Sequence, residues 1–281
     1  MQVIKTIKTT ANQLTNHMKL SKLSLILLST SFLAACGGGG GGSTTTSAST
    51  AANTATKAEG FYSGSFSSTT FSNGVFQAIV LDNDEIWGFY GTQSTSGNTT
   101  VYGMIQGTGT SNNGSYSSSN LKDFYYTGAT TTGTLSASYQ QGVSLNGSIS
   151  ANGQSASFTG SVPTSSTYNY NAAAKLSDIT GAWTGTTLQG TVSSFTISSA
   201  GTFTANNAGC VTSASLTPRA SGKNVFDLSA RVAVSTACGA DAGLSASGIA
   251  VTSILSSGAR QLVIAYMDTS RTRGTGFIAT R

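Results

Sequence analysis

The 281-residue sequence predicts an all-β protein built from two tandem, small, antiparallel eight-stranded modules, barrel-like or alternatively β-sandwiches. Three observations predict it. Apolar residues recur mostly with period two, and turn residues interrupt them about every 8 to 12 positions. The chain holds 34 glycines and only two prolines, which suits strands joined by tight turns. Charged residues make up 8% of the chain, against roughly 25% in an ordinary soluble domain. Ser, Thr, Gly and Asn fill the polar positions instead and solvate a β surface by hydrogen bonding.

The first element is a targeting segment. Lys19 and Lys22 supply a positive start, and Leu23, Leu25, Ile26, Leu27, Leu28, Phe32 and Leu33 form an apolar stretch too short to span a bilayer. Leu33-Ala34-Ala35-Cys36 closes it, and this tetrapeptide resembles the lipobox of bacterial prolipoproteins. The resemblance implies that residues 1–35 are a signal peptide, that diacylglycerol is joined to Cys36 by a thioether, and that the new amino terminus is acylated. Three acyl chains anchor far more firmly than one. In that family an Asp after the lipidated cysteine favours inner-membrane retention; Gly37 stands there, so the resemblance implies the outer membrane, at its periplasmic face or on the cell surface. Met18 is a candidate start beside Met1, because Met18 to Cys36 is already a complete signal.

The second element, residues 36–58, reads as a tether: Gly37 to Gly42, then Ser, Thr and Ala through about Thr56. A Gly-rich coil of about 20 residues spans roughly 25 Å, enough to hold a folded unit clear of lipid headgroups.

The third and fourth elements are the modules, 59–162 and 176–281, separated by a linker at 163–175. Strands are expected to begin near Gly60, Gly74, Glu85, Thr100, Leu121, Thr132, Gly142 and Gln154, then near Gly181, Thr191, Gly201, Cys210, Lys223, Ser245, Ala259 and Arg273. The clearest runs from Asn224 to Val234, with Phe226, Leu228, Ala230, Val232 and Val234 on one face and Asp227, Ser229 and Arg231 on the other. Gly60-Phe61-Tyr62-Ser63-Gly64 matches Gly181-Ala182-Trp183-Thr184-Gly185, and each half continues with a strand pair around a polar turn (Leu81 to Asp84; Ser198 to Gly201). An internal repeat is the simplest account. Eight short strands close into a narrow barrel and remove both sheet edges. Ala172 to Asp178 is expected to form one helical turn leading into Trp183. With that turn, Gly-x-Trp resembles the opening of the calycin superfamily of lipocalin-like barrels. The resemblance implies a basic residue near the carboxyl end packed across Trp183, with Arg271, Arg273 and Arg281 as candidates. The first half departs from it, having Tyr62 in place of Trp and no basic residue near its last strand.

Charge excludes a nucleic-acid partner. Of the fourteen basic residues, Lys5, Lys8, Lys19 and Lys22 precede Cys36 while all nine acids follow it, so the exported part carries ten against nine and forms no basic patch. With Cys36 lipidated, Cys210 and Cys238 remain as a pair in an oxidising compartment, where a disulfide is expected. The single histidine, His17, lies in the signal, so the exported part has no imidazole for a nucleophilic triad or a metal. Asp82, Asp84 and Glu85 form the densest acidic cluster, but they sit between Val80-Leu81 and Ile86-Trp87, where turn chemistry accounts for them. Gly274-x-Gly276-x-x-Ala279 spells a dinucleotide-type pattern with no room for the following helix. No catalytic residue, metal site or cofactor is expected.

These readings imply a non-enzymatic, lipid-anchored binding or scaffold module of the cell envelope, facing an envelope or extracellular ligand. The alternatives are a calycin-like carrier of a small apolar ligand and an envelope glycan hydrolase. The hydrolase would need two of Asp123, Asp178, Asp227, Asp241 and Asp268 to converge from distant strands.

Overall fold

The computed structural model describes residues 56–95, 99–163, 168–255 and 257–281. The signal segment, with Leu33, Ala34, Ala35 and Cys36, and the tether as far as residue 55 lie outside the described residues. Among the described residues no helix is long and apolar enough to cross a membrane. Two eight-stranded antiparallel barrels follow one another along the chain, the first closed and the second nearly closed.

The first barrel comprises β1 (Gly60–Ser68), β2 (Gly74–Val80), β3 (Glu85–Gln93), β4 (Thr99–Thr108), β6 (Ser115–Tyr125), β7 (Thr130–Gln140), β8 (Ser144–Ala151) and β9 (Gln154–Ser161), with β5 (Thr110–Asn112) as a short arm on β6. Each strand pairs with its sequence neighbour, β9 returns to β1, and β4 pairs with β6 from Gly103↔Tyr125 to Gln106↔Lys122, which closes the ring. Closure removes the free edges that a sandwich leaves. Strand β7 shows why the sequence folds this way: Gly133, Leu135, Ala137 and Tyr139 are buried while Thr134, Ser136, Ser138 and Gln140 are exposed. The turns Asn113-Gly114 and Asn152-Gly153 each supply two consecutive positive φ angles, the geometry of a type I′ hairpin. Alternation along the chain puts the start of the fifth strand near Leu121, whereas β6 starts at Ser115. The added stretch is mostly Ser and Asn, and its one large apolar residue, Tyr116, is fully buried with its hydroxyl donating to the Asp84 carbonyl at 2.8 Å.

The second barrel comprises β10 (Gly181–Thr187), β11 (Val192–Ile197), β12 (Thr202–Asn207), β13 (Cys210–Pro218), β14 (Phe226–Val232), β15 (Ser245–Ile254), β16 (Arg260–Asp268) and β17 (Gly274–Thr280). Strand β10 pairs with β17, but β11 and β12 flank a seam with no ladder between them. There Phe195 and Phe203 stack at 4.4 Å and fill the gap. Strand β14 ends earlier than the alternation suggested. Phe226, Leu228 and Ala230 are buried as expected, but the strand stops at Val232 and Val234 is 83% exposed.

Both barrels seal the end where their first strand begins with the same device. Trp183 is buried and its Nε1 donates to the Ile179 carbonyl at 2.6 Å, at the end of the one-turn helix α1 (Leu176–Ile179). Tyr62 is buried and its hydroxyl donates to the Ala58 carbonyl at 2.9 Å. In each case an aromatic ring plugs the barrel and satisfies its polar atom on the carbonyl four residues earlier. Burial pushes the Tyr62 hydroxyl pKa up to about 12.

A third apolar cluster joins the barrels. Strand residues that face away from the two interiors meet here: Ile79, Trp87, Met104 and Phe124 of the first, and Ile249, Ala265 and Met267 of the second. Tyr168 and Tyr170, from the segment read as a linker, pack into the same cluster. Tyr168 donates to the Asn224 carbonyl at 2.6 Å and its ring meets Phe61 at 5.1 Å. Residues Gly274 and Gly276 belong here and not to a nucleotide loop. A Cβ on Gly274 would come within 2.8 Å of the Phe124 ring, and one on Gly276 within 2.2 Å of Phe89. Arg219 adds a polar clamp, reaching Asp82 of the first barrel at 2.5 Å and Asp227 of the second at 2.6 Å.

Cys210 and Cys238 form a disulfide that ties the start of β13 to the short 3-10 turn Thr236–Asp241, across 28 positions of sequence. On the chain-entropy account, closing a loop of that size contributes roughly 3–4 kcal/mol.

Two predictions follow from this packing. Replacing Gly276 with Val is expected to cost roughly 1–3 kcal/mol by overpacking against Phe89, read as a fall of several degrees in the thermal midpoint; an unchanged midpoint refutes the seat. Cys210→Ser/Cys238→Ser is expected to lower stability by roughly 3–4 kcal/mol, and the wild type in reductant should melt with it in denaturant titrations.

Candidate functional site

The first barrel has two unlike ends. Strand β1 leaves the residues that follow the tether and begins at Gly60, so its start, the β2–β3 turn and the β6 start share one end. That end is charged and tied down. Asp84 adopts a positive φ of 64° in the turn, accepts from Ser111 at 2.5 Å and lies 3.7 Å from Lys57. Glu85 accepts from Gln106 at 2.8 Å, and Asp82 faces Arg219. Burial works to raise the Asp82 carboxyl, but the hydrogen bond and charge of Arg219 outweigh it and its pKa lies below the usual aspartate value. The three acids therefore diverge to three separate partners, as turn residues do.

The opposite end, which we call distal, lies roughly 20–25 Å away given the strand lengths and an ordinary barrel tilt. It is built from aromatic rings. Phe66 of β1 meets Phe71 at 5.6 Å and Tyr90 of β3 at 5.9 Å; Phe71 meets Tyr102 of β4 at 5.6 Å. Tyr102 continues to Tyr125 and Tyr126 at 6.5 and 5.8 Å, and these two rings lie 4.7 Å apart. Tyr126 is 43% exposed. Glycines make the arrangement possible. A Cβ at Gly74 would sit 2.5 Å from the Phe66 ring, and one at Gly103 would sit 2.3 Å from Tyr90. Because Gly103 offers no side chain, Tyr90 lies across β4 and donates to Asp123 of β6 at 2.8 Å. One hydrogen bond thus straddles the β4–β6 closure. Burial raises the Asp123 carboxyl above its usual value, against the lowering effect of the Tyr90 hydrogen bond.

Beside the rings, on the outer face of β9, β1, β2 and the end of β3, lies a shallow groove of about 520 Å³. Its lining includes Ser65, Ser67, Asn73, Ser157 and Thr159, with Phe66 shared between groove and ring cluster. Between Gly60 and Val162 the charged residues are Asp82, Asp84 and Glu85 at the tethered end, Lys122, which donates to Thr132 at 2.8 Å, and the half-buried Asp123. The groove lining includes no charged residue; Lys122 stands just before the Tyr125 end of β6, and Thr272, between Arg271 and Arg273, accepts from Thr130 at the start of β7.

Of the residues singled out in the sequence, Trp183 and Arg281 meet, with the guanidinium carbon 4.2 Å from the ring centroid. Arg271 and Arg273 do not join them. Arg271, at a positive φ of 56°, crosses to the first barrel and donates to the Gln106 side chain at 2.6 Å and the Asn120 carbonyl at 2.7 Å. Arg273 pairs with Asp241. The other acids are also engaged: Asp178 pairs with Arg260 at 3.3 Å, Asp227 shares Arg219 with Asp82, and Asp268 accepts from Ser270 and from the Thr272 and Arg273 amides. Among the described residues no three His, Cys, Asp or Glu side chains gather as a metal would need. Phe71 and the groove escaped the sequence reading. The only available signal was an aromatic set among Thr69, Thr70, Ser72 and Asn73, where a turn alone would not need one.

Because Asp123 has a raised pKa in the fold, folding takes up a proton between the ordinary aspartate pKa of about 3.9 and the higher folded value, so stability falls as pH rises through that window. Asp123→Asn, which still accepts from Tyr90, is expected to melt above wild type at pH 7, with the gap closing toward pH 4. A deficit at pH 7 that shrinks toward pH 4 would show instead that the carboxylate is needed in its charged form.

No protein-family model matches the sequence, and no curated protein matches it. Among solved structures it is similar to the crystal structure of the isotype 1 transferrin binding protein B from serogroup B Neisseria meningitidis, at 8% identity and a TM-score of 0.21, over 74% of this chain and 65% of that one.

Proposed function

We propose that this chain is a lipid-anchored lipoprotein of the bacterial outer membrane, without enzymatic activity, whose first barrel presents its distal end to a ligand of the envelope or the surroundings. One observation carries the reading. The described chain enters the first barrel at its charged end, through Lys57 and Gly60, while the aromatic end lies at the opposite ends of the strands. A tether of about 20 residues lets that end stand off the membrane by the tether span plus the barrel height.

Two further features support binding over chemistry. The acids a hydrolase would use are each paired with a guanidinium, set in a turn, or half-buried beneath the tyrosines. A carboxylate held by an arginine is a poor proton donor at neutral pH. The barrel interiors are occupied by their own side chains, Tyr62, Tyr116, Leu135 and Leu145 in the first and Trp183, Phe226 and Leu262 in the second, which weighs against an apolar ligand carried inside.

The anchor is tested by metabolic labelling with a fatty acid. Wild-type protein is expected to take up label and sediment with membranes. Cys36→Ser should lose the label and accumulate as the longer precursor. Unlabelled wild-type protein in the soluble fraction defeats the proposal.

A further inference from the structure

We infer that the distal end of the first barrel binds a neutral glycan, with the Tyr102, Tyr125 and Tyr126 rings as the stacking platform and the neighbouring groove as the hydrogen-bonding track. This rests on reading the distal end as the ligand face and goes on to name the chemistry of the ligand. Three observations narrow that chemistry.

The first is the kind of aromatic present. The outermost rings are all tyrosines, which offer an apolar face and a polar tip. Their hydroxyls make no hydrogen bond to any described residue, unlike Tyr62, Tyr90, Tyr116 and Tyr168, whose hydroxyls are engaged inside the fold. A pyranose ring matches such a surface: its axial C–H face lies on the ring while its hydroxyls meet the phenol oxygens.

The second is the groove. At about 520 Å³ it falls in the size range of small-ligand sites, and Ser65, Ser67, Ser157, Thr159 and Asn73 line it with groups that both donate and accept. Groups of that kind pair with hydroxyls, which also do both. Phe66 and Phe71 connect groove and platform, so one chain of linked sugars reaches both.

The third is charge. The groove lining holds no acid or base, so a nucleic acid, an anionic lipid headgroup or a sulfated or sialylated chain would find no cation in the groove to neutralise it. A neutral, polyhydroxylated ligand loses nothing here.

The test uses the full-length lipidated chain in lipid nanodiscs, since sugar-headed detergents would compete. The probe is an array of neutral hexose and N-acetylhexosamine oligosaccharides beside their sialylated and sulfated counterparts, with hits measured by titration calorimetry. Wild type is expected to retain neutral oligosaccharides. Tyr125→Ala and Tyr126→Ala should each weaken binding roughly tenfold, as loss of an aromatic contact at a binding centre does. Tyr125→Phe and Tyr126→Phe, which keep the ring, should lose far less, and melting curves confirm that all four variants fold. Binding only to charged glycans, or to none, overturns the glycan assignment and leaves the anchored-module reading standing. Neutral-glycan binding that ignores all four variants overturns the distal face itself.

Discussion

Aromatic rings laid over glycines are the contact on which this molecule depends. An eight-stranded barrel has an interior just wide enough for its own side chains, and this chain has few long aliphatic residues to fill it. Phe66 over Gly74, Tyr90 over Gly103, Tyr116 over Gly109 and Phe76 against Gly160 are four instances in one barrel. In each, the missing Cβ is what lets the ring lie flat against backbone. The same pairing recurs between barrels, with Phe124 and Phe89 seated on Gly274 and Gly276. A ring of that size removes 150–250 Å² from water, so a few such seats replace many aliphatic contacts.

The arrangement has a functional consequence at the distal end. Inside the barrel the tyrosines spend their hydroxyls on carbonyls or on Asp123, because a buried phenol without a partner is costly. Toward the rim burial declines, and Tyr102, Tyr125 and Tyr126 keep their hydroxyls for solvent or a ligand. The structural core and the proposed platform are one continuous stack of rings, so the platform is held rigid by the packing that closes the barrel. A rigid aromatic surface orders little on binding, which favours affinity.

The two barrels are not beads on a string. Their outward faces share an apolar layer, Arg219 grips an acid from each, and the segment between them contributes Tyr168 and Tyr170 to that layer. Arg271, one of three candidates for the place beside Trp183, instead reaches the first barrel from the β16–β17 turn. Arg281 is the basic residue whose strand ends beside Trp183.

What the sequence determined by itself was whatever depends on near neighbours along the chain. Period-two alternation placed most strand starts within a few residues, Gly and Asn marked the turns, and Cys210 and Cys238 paired as their count required. It stumbled where alternation fades, at Ser115 to Asn120, which became strand because β7 pairs with it, and at Val234, where the ladder stops. Only the tertiary structure decided closure against sandwich, since that turns on β4 meeting β6 past a short arm. It likewise decided which ring lies over which glycine, because that contact joins residues with no periodic relation. The distal site belongs to the same class: Phe71, Tyr102 and Tyr126 come from three loops and strands, and only the barrel's curvature brings them together.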